Sequence, residues 1–179
     1  MKPALIIISD LWGTAKSNWM DLYLQNLSAE LDVEYRDARA LAEVNLNTLD
    51  KQKQNIHQEF IDTGIDKAVE NILKFKSDNL IVLAFSIGGT IAWKAALKGL
   101  KVDSLYLISS TRLRHETEKP NCKIHLMYGE YDTYKPEAKW FEKLNLDYEA
   151  IIDGEHEIYT SESIAKQISD RIIQDTKKR

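Results

Sequence analysis

The sequence predicts an α/β protein: a three-layer α/β/α sandwich around a mostly parallel sheet of about six strands. Two observations carry this expectation. Short, almost continuously apolar runs rich in β-branched residues recur along the chain, as strands buried on both faces require. Between them lie longer segments whose apolar residues repeat at helical spacing, so strand and helix alternate and the crossovers are expected to be right-handed. In such sheets reactive groups gather beyond the carboxyl ends of the strands.

The elements follow in order. Ala4-Leu5-Ile6-Ile7-Ile8-Ser9 reads as the first buried strand. A helix starting near Ser17, a good N-cap residue, places Trp19, Leu22, Tyr23, Leu27 and Leu31 on one stripe. Val33-Glu34-Tyr35-Arg36 has the mixed polarity of an edge strand. Ile65, Ala68, Val69, Ile72 and Leu73 repeat at i, i+3, i+4, i+7, i+8. Residues 80–85 form another buried strand, followed by a helix over residues 87–98 with Gly99 as its stop. Residues 104–108 and 124–128 supply two more strands. Pro136 fits the first turn of a helix that buries Trp140, Phe141 and Leu144. Residues 148–152 read as the second edge strand. Ile164, Ile168 and Ile172 then line the last helix, capped by Thr160 or Ser161.

Composition narrows the class. A length of 179 residues suits one domain spanning 1–179 and leaves little room for a second. Hydrophobic residues at 44% and charged residues at 29% are ordinary for a soluble globular chain. The net charge of −4 argues against a nucleic-acid surface. Cys122 is the sole cysteine, which excludes an internal disulfide and a thiolate zinc cluster. The opening apolar run is too short for a signal h-region or a membrane span, so a cytoplasmic location without a membrane partner is expected.

The most informative stretch is Ala84-Phe85-Ser86-Ile87-Gly88-Gly89, where a buried strand becomes a helix. A serine there occupies a sharp, strained turn that lifts its hydroxyl out of the sheet. Neighbouring chain comes close, so the positions two before and two after must be small. Ala84 and Gly88 meet that demand. The helix from Ile87 adds free backbone N–H groups and the positive end of its dipole, which favour a developing oxyanion.

This stretch resembles the nucleophile elbow of the α/β-hydrolase superfamily, G-x-S-x-G, with Ala84 in place of the first glycine. Gly129-Glu130-Tyr131-Asp132, after a strand, resembles the family's acid turn. Asp153-Gly154-Glu155-His156-Glu157, ahead of the last helix, resembles its histidine loop. The chain order Ser, Asp, His is the one this fold uses. The resemblance runs from Leu5 to the last helix. It implies a reduced α/β-hydrolase fold without the two leading strands of larger members, in the order 2-1-3-4-5-6. It also implies a triad in which His156 takes the proton of Ser86 and Asp132 fixes the imidazole tautomer. Glu130 is the other carboxylate of the acid turn, but the motif position favours Asp132. Glu155 and Glu157 flank His156, where they raise its basicity or are simply solvated. His125 lies within a strand and His57 in a polar, exposed helical stretch. His115 sits in the loop 111–121, on the surface or near substrate.

The resemblance further implies two oxyanion donors. One is the N–H of Ile87; the other comes from the loop after the first strand, which reads Ser9-Asp10-Leu11-Trp12-Gly13. By position the donor is Leu11, with Trp12 as second choice. Asp10 stands where glycine is usual. A carboxylate aimed at the oxyanion opposes catalysis, so Asp10 must face away, pair with a cation or signal altered chemistry; a turn hydrogen bond is the simplest account.

Larger members insert a helical cap after the strand that carries Ser109 and Ser110. Here only residues 111–121 are available, so no cap domain is expected and the site should be shallow and open. That favours hydrolysis of a small or accessible ester or thioester by a serine esterase or thioesterase. Trp12 and Arg112 are candidates to touch substrate, with Arg114 and Lys119 as further cations for an acidic group. Trp19 belongs to the core stripe. No cofactor or metal is called for, and oligomeric state stays open. Two rival classes remain: a catalytically silent scaffold binding a small molecule or protein, motivated by Asp10, and a flavodoxin-like nucleotide or flavin binder. Against the latter, no G-x-G-x-x-G follows the first strand and no G-x-x-x-x-G-K-[ST] occurs anywhere.

Overall fold

The structure, a computed structural model, describes residues 2–44, 53–77 and 79–178. Six strands make one sheet: β1 (Ala4–Ile8), β2 (Asp32–Arg36), β3 (Ile81–Phe85), β4 (Ser104–Ile108), β5 (Lys123–Gly129) and β6 (Tyr148–Ile151). Their spatial order is β2-β1-β3-β4-β5-β6, and every neighbouring pair is parallel. The expected order and the expected edges are both observed. β3 and β4 are buried throughout, whereas β2 and β6 carry the mixed polarity that an edge with one open side tolerates.

Helices cover both faces: α1 (Met20–Leu27), α2 (Ala38–Leu41), α3 (Lys53–Glu59), α4 (Ile65–Ile72), α5 (Ile87–Leu97), α6 (Ala138–Leu144) and α7 (Glu162–Lys177). Alternate strand residues feed two separate cores, as the period of two demands. Ile6, Ile8, Val82 and Ala84 pack with side chains of α4, α5 and α6. Leu5, Ile7, Leu83 and Phe85 pack on the other face with α1 and α7. α3 runs through a single π turn (Phe60–Gly64) into α4. No helix among the described residues is long and apolar enough to cross a membrane.

Two helix starts differ from expectation. A 3₁₀ turn (Gly13–Lys16) follows β1, and α1 begins only at Met20, with the Ser17 carbonyl, not its side chain, accepting the Met20 N–H at 2.7 Å. Leu31 is buried on the same face but lies past the helix, in the turn into β2. Pro136 precedes α6 instead of entering its first turn, because Glu137 in extended conformation is the N-cap. At α7 the N-cap is Ser161.

Candidate active site

Ser86 follows β3 and has φ +51° and ψ −118°. A non-glycine residue held there stores strain on the order of 1–3 kcal/mol, so its surroundings must over-determine it. They do: the Ser86 N–H donates to the Ile108 carbonyl at 3.1 Å, and its own carbonyl accepts the N–H groups of Gly89 and Thr111, each at 3.1 Å. The need for small neighbours is equally concrete. A Cβ on Gly88 would lie 2.4 Å from the Ser9 carbonyl oxygen, and one on Gly89 1.7 Å from Ser110 Oγ. α5 therefore starts in contact with the ends of the strands on either side of β3.

The other two predicted residues arrive from β5 and from the β6–α7 connection. Ser86 Oγ lies 3.0 Å from His156 Nε2, and His156 Nδ1 lies 3.1 and 3.0 Å from the two oxygens of Asp132. The Asp132 side chain is fully buried, and its Oδ1 also accepts the Tyr134 N–H at 2.9 Å. A carboxylate so placed favours the tautomer with the proton on Nδ1, leaving Nε2 to accept the serine proton. The two loops are knitted together. A Cβ on Gly129 would sit 2.2 Å from the Glu155 carbonyl oxygen, so the histidine loop passes directly over that glycine. The Tyr131 N–H donates to the Gly154 carbonyl at 2.8 Å. Glu130 accepts the Asp153 N–H at 3.1 Å; it braces the histidine loop while Asp132 meets the imidazole.

Beside this chain of groups, the loop after β1 is fastened by two carboxylates. Gly13 has φ +55°, and a Cβ there would lie 2.3 Å from the carboxylate of Asp37, which accepts the Thr14 N–H at 2.6 Å. Asp10 is only 4% exposed. Its Oδ1 accepts the Trp12 N–H at 3.0 Å, the turn hydrogen bond anticipated for it, and its Oδ2 accepts the Tyr159 hydroxyl at 3.2 Å. Burial pushes its pKa up to about 6 against the pull of these bonds, and the nearby Glu157 charge adds to the rise. No ion pair to Asp10 occurs among the described residues. Because Trp12 N–H is committed to Asp10, it is not available to an oxyanion. Leu11 and Ile87 both border the cleft, and Ile87, as the first residue of α5, has no helical carbonyl one turn earlier.

These groups surround a small cleft of about 40 Å³ that opens to solvent. Of the two candidates for substrate contact, Trp12 lines the cleft and Arg112 does not. Arg112 takes a left-handed φ of +60°, and its neighbour Thr111 borders the cleft instead. Arg114 donates to the Tyr134 carbonyl at 3.3 Å and Lys119 to that of Asn145 at 3.1 Å, so these two cations are engaged outside the cleft lining. His57 is a correction: it is half-buried and lines the cleft beside Leu11 and Trp12, not simply exposed. His125 stacks on Tyr106 with centroids 4.4 Å apart, and His115 is exposed.

Sequence reasoning missed Thr111, Tyr134 and Tyr159. Thr111 Oγ1 is buried without a hydrogen-bond partner. The Tyr134 ring sits edge-on to His156, with centroids 4.8 Å apart. Tyr159 joins an aromatic cluster with Trp19 and Phe85 and accepts the Tyr23 hydroxyl on its carbonyl at 2.9 Å. Its position three residues after His156, on a 3₁₀ turn (Ile158–Thr160), is the one signal that could have drawn attention to it.

A parallel sheet in this order, with a strained serine after the third strand, is the α/β-hydrolase fold. Solved structures of that superfamily superpose on nearly the whole chain. A dienelactone hydrolase-like promiscuous phosphotriesterase from metagenomic libraries matches with a TM-score of 0.70 at 10% identity, covering 99% of this chain and 86% of its own. Alpha/beta hydrolase domain-containing protein 10 from mouse matches at 0.66 and 14% identity, over 99% and 91% of the two chains. Est1E from Butyrivibrio proteoclasticus matches at 0.65 and 11%, over 99% and 89%. No family model matches the sequence, and no curated protein matches it.

Proposed function

We propose that the protein is a serine hydrolase that cleaves a small ester or thioester through Ser86, His156 and Asp132. The supporting observation is the continuous path Ser86 Oγ–His156 Nε2–Nδ1–Asp132, with links of 3.0 to 3.1 Å, at the carboxyl edge of the sheet. Hydrolases among the structural neighbours are consistent with it.

In this reading Ser86 Oγ adds to the substrate carbonyl as its proton passes to His156 Nε2. The resulting imidazolium is stabilised by Asp132. Negative charge on the carbonyl oxygen meets the N–H groups of Ile87 and Leu11, at the positive end of α5. The bond to the leaving oxygen or sulfur then breaks, and His156 returns the proton to that atom, leaving an acyl-serine. Water, deprotonated by the same imidazole, hydrolyses the acyl group and restores Ser86. Tyr134 and Tyr159 confine the imidazole between two ring edges, at centroid distances of 4.8 and 6.2 Å.

A fluorophosphonate probe is expected to label Ser86, and Ser86→Ala to lose both labelling and p-nitrophenyl butyrate turnover, by about 10⁴-fold or more. Turnover that survives in Ser86→Ala would overturn the assignment. A silent scaffold would show no labelling of the wild type, yet be stabilised by a ligand.

A further inference from the structure

The candidate cleft carries an electrostatic asymmetry that the triad does not explain. Asp10 and Glu157 border it, and no lysine or arginine does so among the described residues. Charged side chains this deeply buried are ordinarily paired, because leaving the partner out forfeits the compensation for desolvation. Asp10 is buried with hydrogen-bond donors from Trp12, Tyr159 and the Gly13 backbone but no cation among the described residues. Lys16 places its ammonium 4.1 Å from the centroid of the Trp12 ring and makes no ion pair with Asp10.

We propose that the cleft selects acyl groups bearing a positive charge, and that the Asp10 carboxylate is the residue that reads it. The inference rests on the serine-hydrolase reading and names its substrate class. Asp10 immediately precedes Leu11, the oxyanion donor in that reading, so its charge acts close to the scissile carbonyl. With a neutral acyl group, an ionised Asp10 disfavours the negative charge that develops on the carbonyl oxygen. An ammonium on the acyl chain reverses the sign of that effect: it supplies the missing counter-ion and neutralises the opposing field together. Trp12, Tyr134 and Tyr159 offer aromatic surface to the same cation.

The test is a charge series on a constant leaving group at pH 7.5: the p-nitrophenyl esters of β-alanine, butyric acid and succinic acid (as the hemiester). The first two differ only in replacing a methyl with an ammonium. Each kcat/KM is divided by the rate of hydroxide-catalysed hydrolysis of the same ester, which removes intrinsic reactivity. The β-alanine ester is expected to exceed the butyrate by at least about tenfold, with the hemisuccinate lowest. Asp10→Asn, which keeps an acceptor for the Trp12 N–H, is expected to bring the β-alanine to butyrate ratio towards one. A wild-type ratio of one or less, or a ratio unmoved in a folded Asp10→Asn, overturns the charge selection while Ser86 labelling and butyrate turnover leave the hydrolase reading standing. If Asp10→Asn does not fold, the wild-type series decides alone. Absence of both labelling and turnover overturns the hydrolase reading and this one with it.

Discussion

The turn after β3 and the loop after β1 are neighbours at one edge of the sheet, yet they are built on different principles. The nucleophile turn is a steric object. Ser86 is strained at φ +51°, its backbone groups are all engaged, and Gly88 and Gly89 are required because neighbouring strand ends leave no room for a side chain. The β1 loop is an electrostatic object. Asp37 and Asp10 hold it, and the second of these carboxylates is buried without a counter-ion. Crowding admits few residue types and so leaves a recognisable string of letters. A field set by one carboxylate leaves a single unexpected residue whose meaning depends on the groups that surround it.

If the steric turn exists to present Ser86 to a relay, breaking the relay far from the turn should be as damaging as breaking the turn. Asp132→Asn is expected to lower kcat by about 10⁴-fold with little change in melting temperature, because an amide can donate to Nδ1 and so favours the wrong imidazole tautomer. Steady-state kinetics beside a thermal melt would check it. A loss below about tenfold would mean that the buried carboxylate serves packing alone.

The β1 loop should respond in stability, with a sign set by its charge. Asp10 has a folded pKa of about 6 against an ordinary value of 3.8, so the folded state disfavours the ion. That penalty is absent below about pH 4, grows as pH rises to about 6, and is constant above. Asp10→Asn, which carries no charge at any pH, is therefore expected to stabilise the protein by up to about 2–3 kcal/mol at pH 8 and by nothing near pH 4. Denaturant titrations at the two pH values would show it. Equal effects at both would mean that the carboxylate is not held in a disfavoured ionised state.

Gly88 joins the two regions physically, since its Cα faces the Ser9 and Ile8 carbonyls. Gly88→Ala is expected to destabilise by about 1–3 kcal/mol, lowering the melting temperature by roughly 4–10 °C. It should also lower kcat in the fraction that remains folded, because relief of the clash moves Ile87 away from Leu11. A variant that melts early but keeps full kcat would show that the two oxyanion-side N–H groups are not set by this contact.

The same contrast explains what could be read in the sequence. Six strands and their edges were legible because burial on two faces demands continuous apolar runs and burial on one does not. Ser86, Asp132 and His156 were legible because each follows a strand end on a turn with obligatory small residues. The start of α1 was not, since Ser17 is an equally good residue for closing the 3₁₀ turn that precedes the helix. Thr111, Tyr134, Tyr159 and His57 reach the cleft from four separate segments. Nothing local marks them, because their placement depends on contacts between distant parts of the chain. Arg112 shows the converse: a cation in the expected loop whose left-handed backbone accompanies a side chain outside the cleft.

Tyr159 offers the finest probe of how the two kinds of loop communicate. Its hydroxyl, donated to Asp10 Oδ2, ties the histidine loop to the β1 loop, while its ring is held independently by Trp19 and Phe85. Tyr159→Phe keeps the ring and removes only the tie. A donor to an ionised carboxylate is lost above pH 6, where about 1–2 kcal/mol of stability should go with it; near pH 4 the carboxyl is protonated and the loss should be smaller. Removing a bond that favours the ion must also raise the Asp10 pKa further. The pH range over which Asp10 changes stability should therefore move upward in Tyr159→Phe, and vanish when Asp10→Asn is added. A double-mutant cycle measured at pH 8 would return that coupling directly. Additive effects would mean that the two loops meet at this hydrogen bond without sharing its energy.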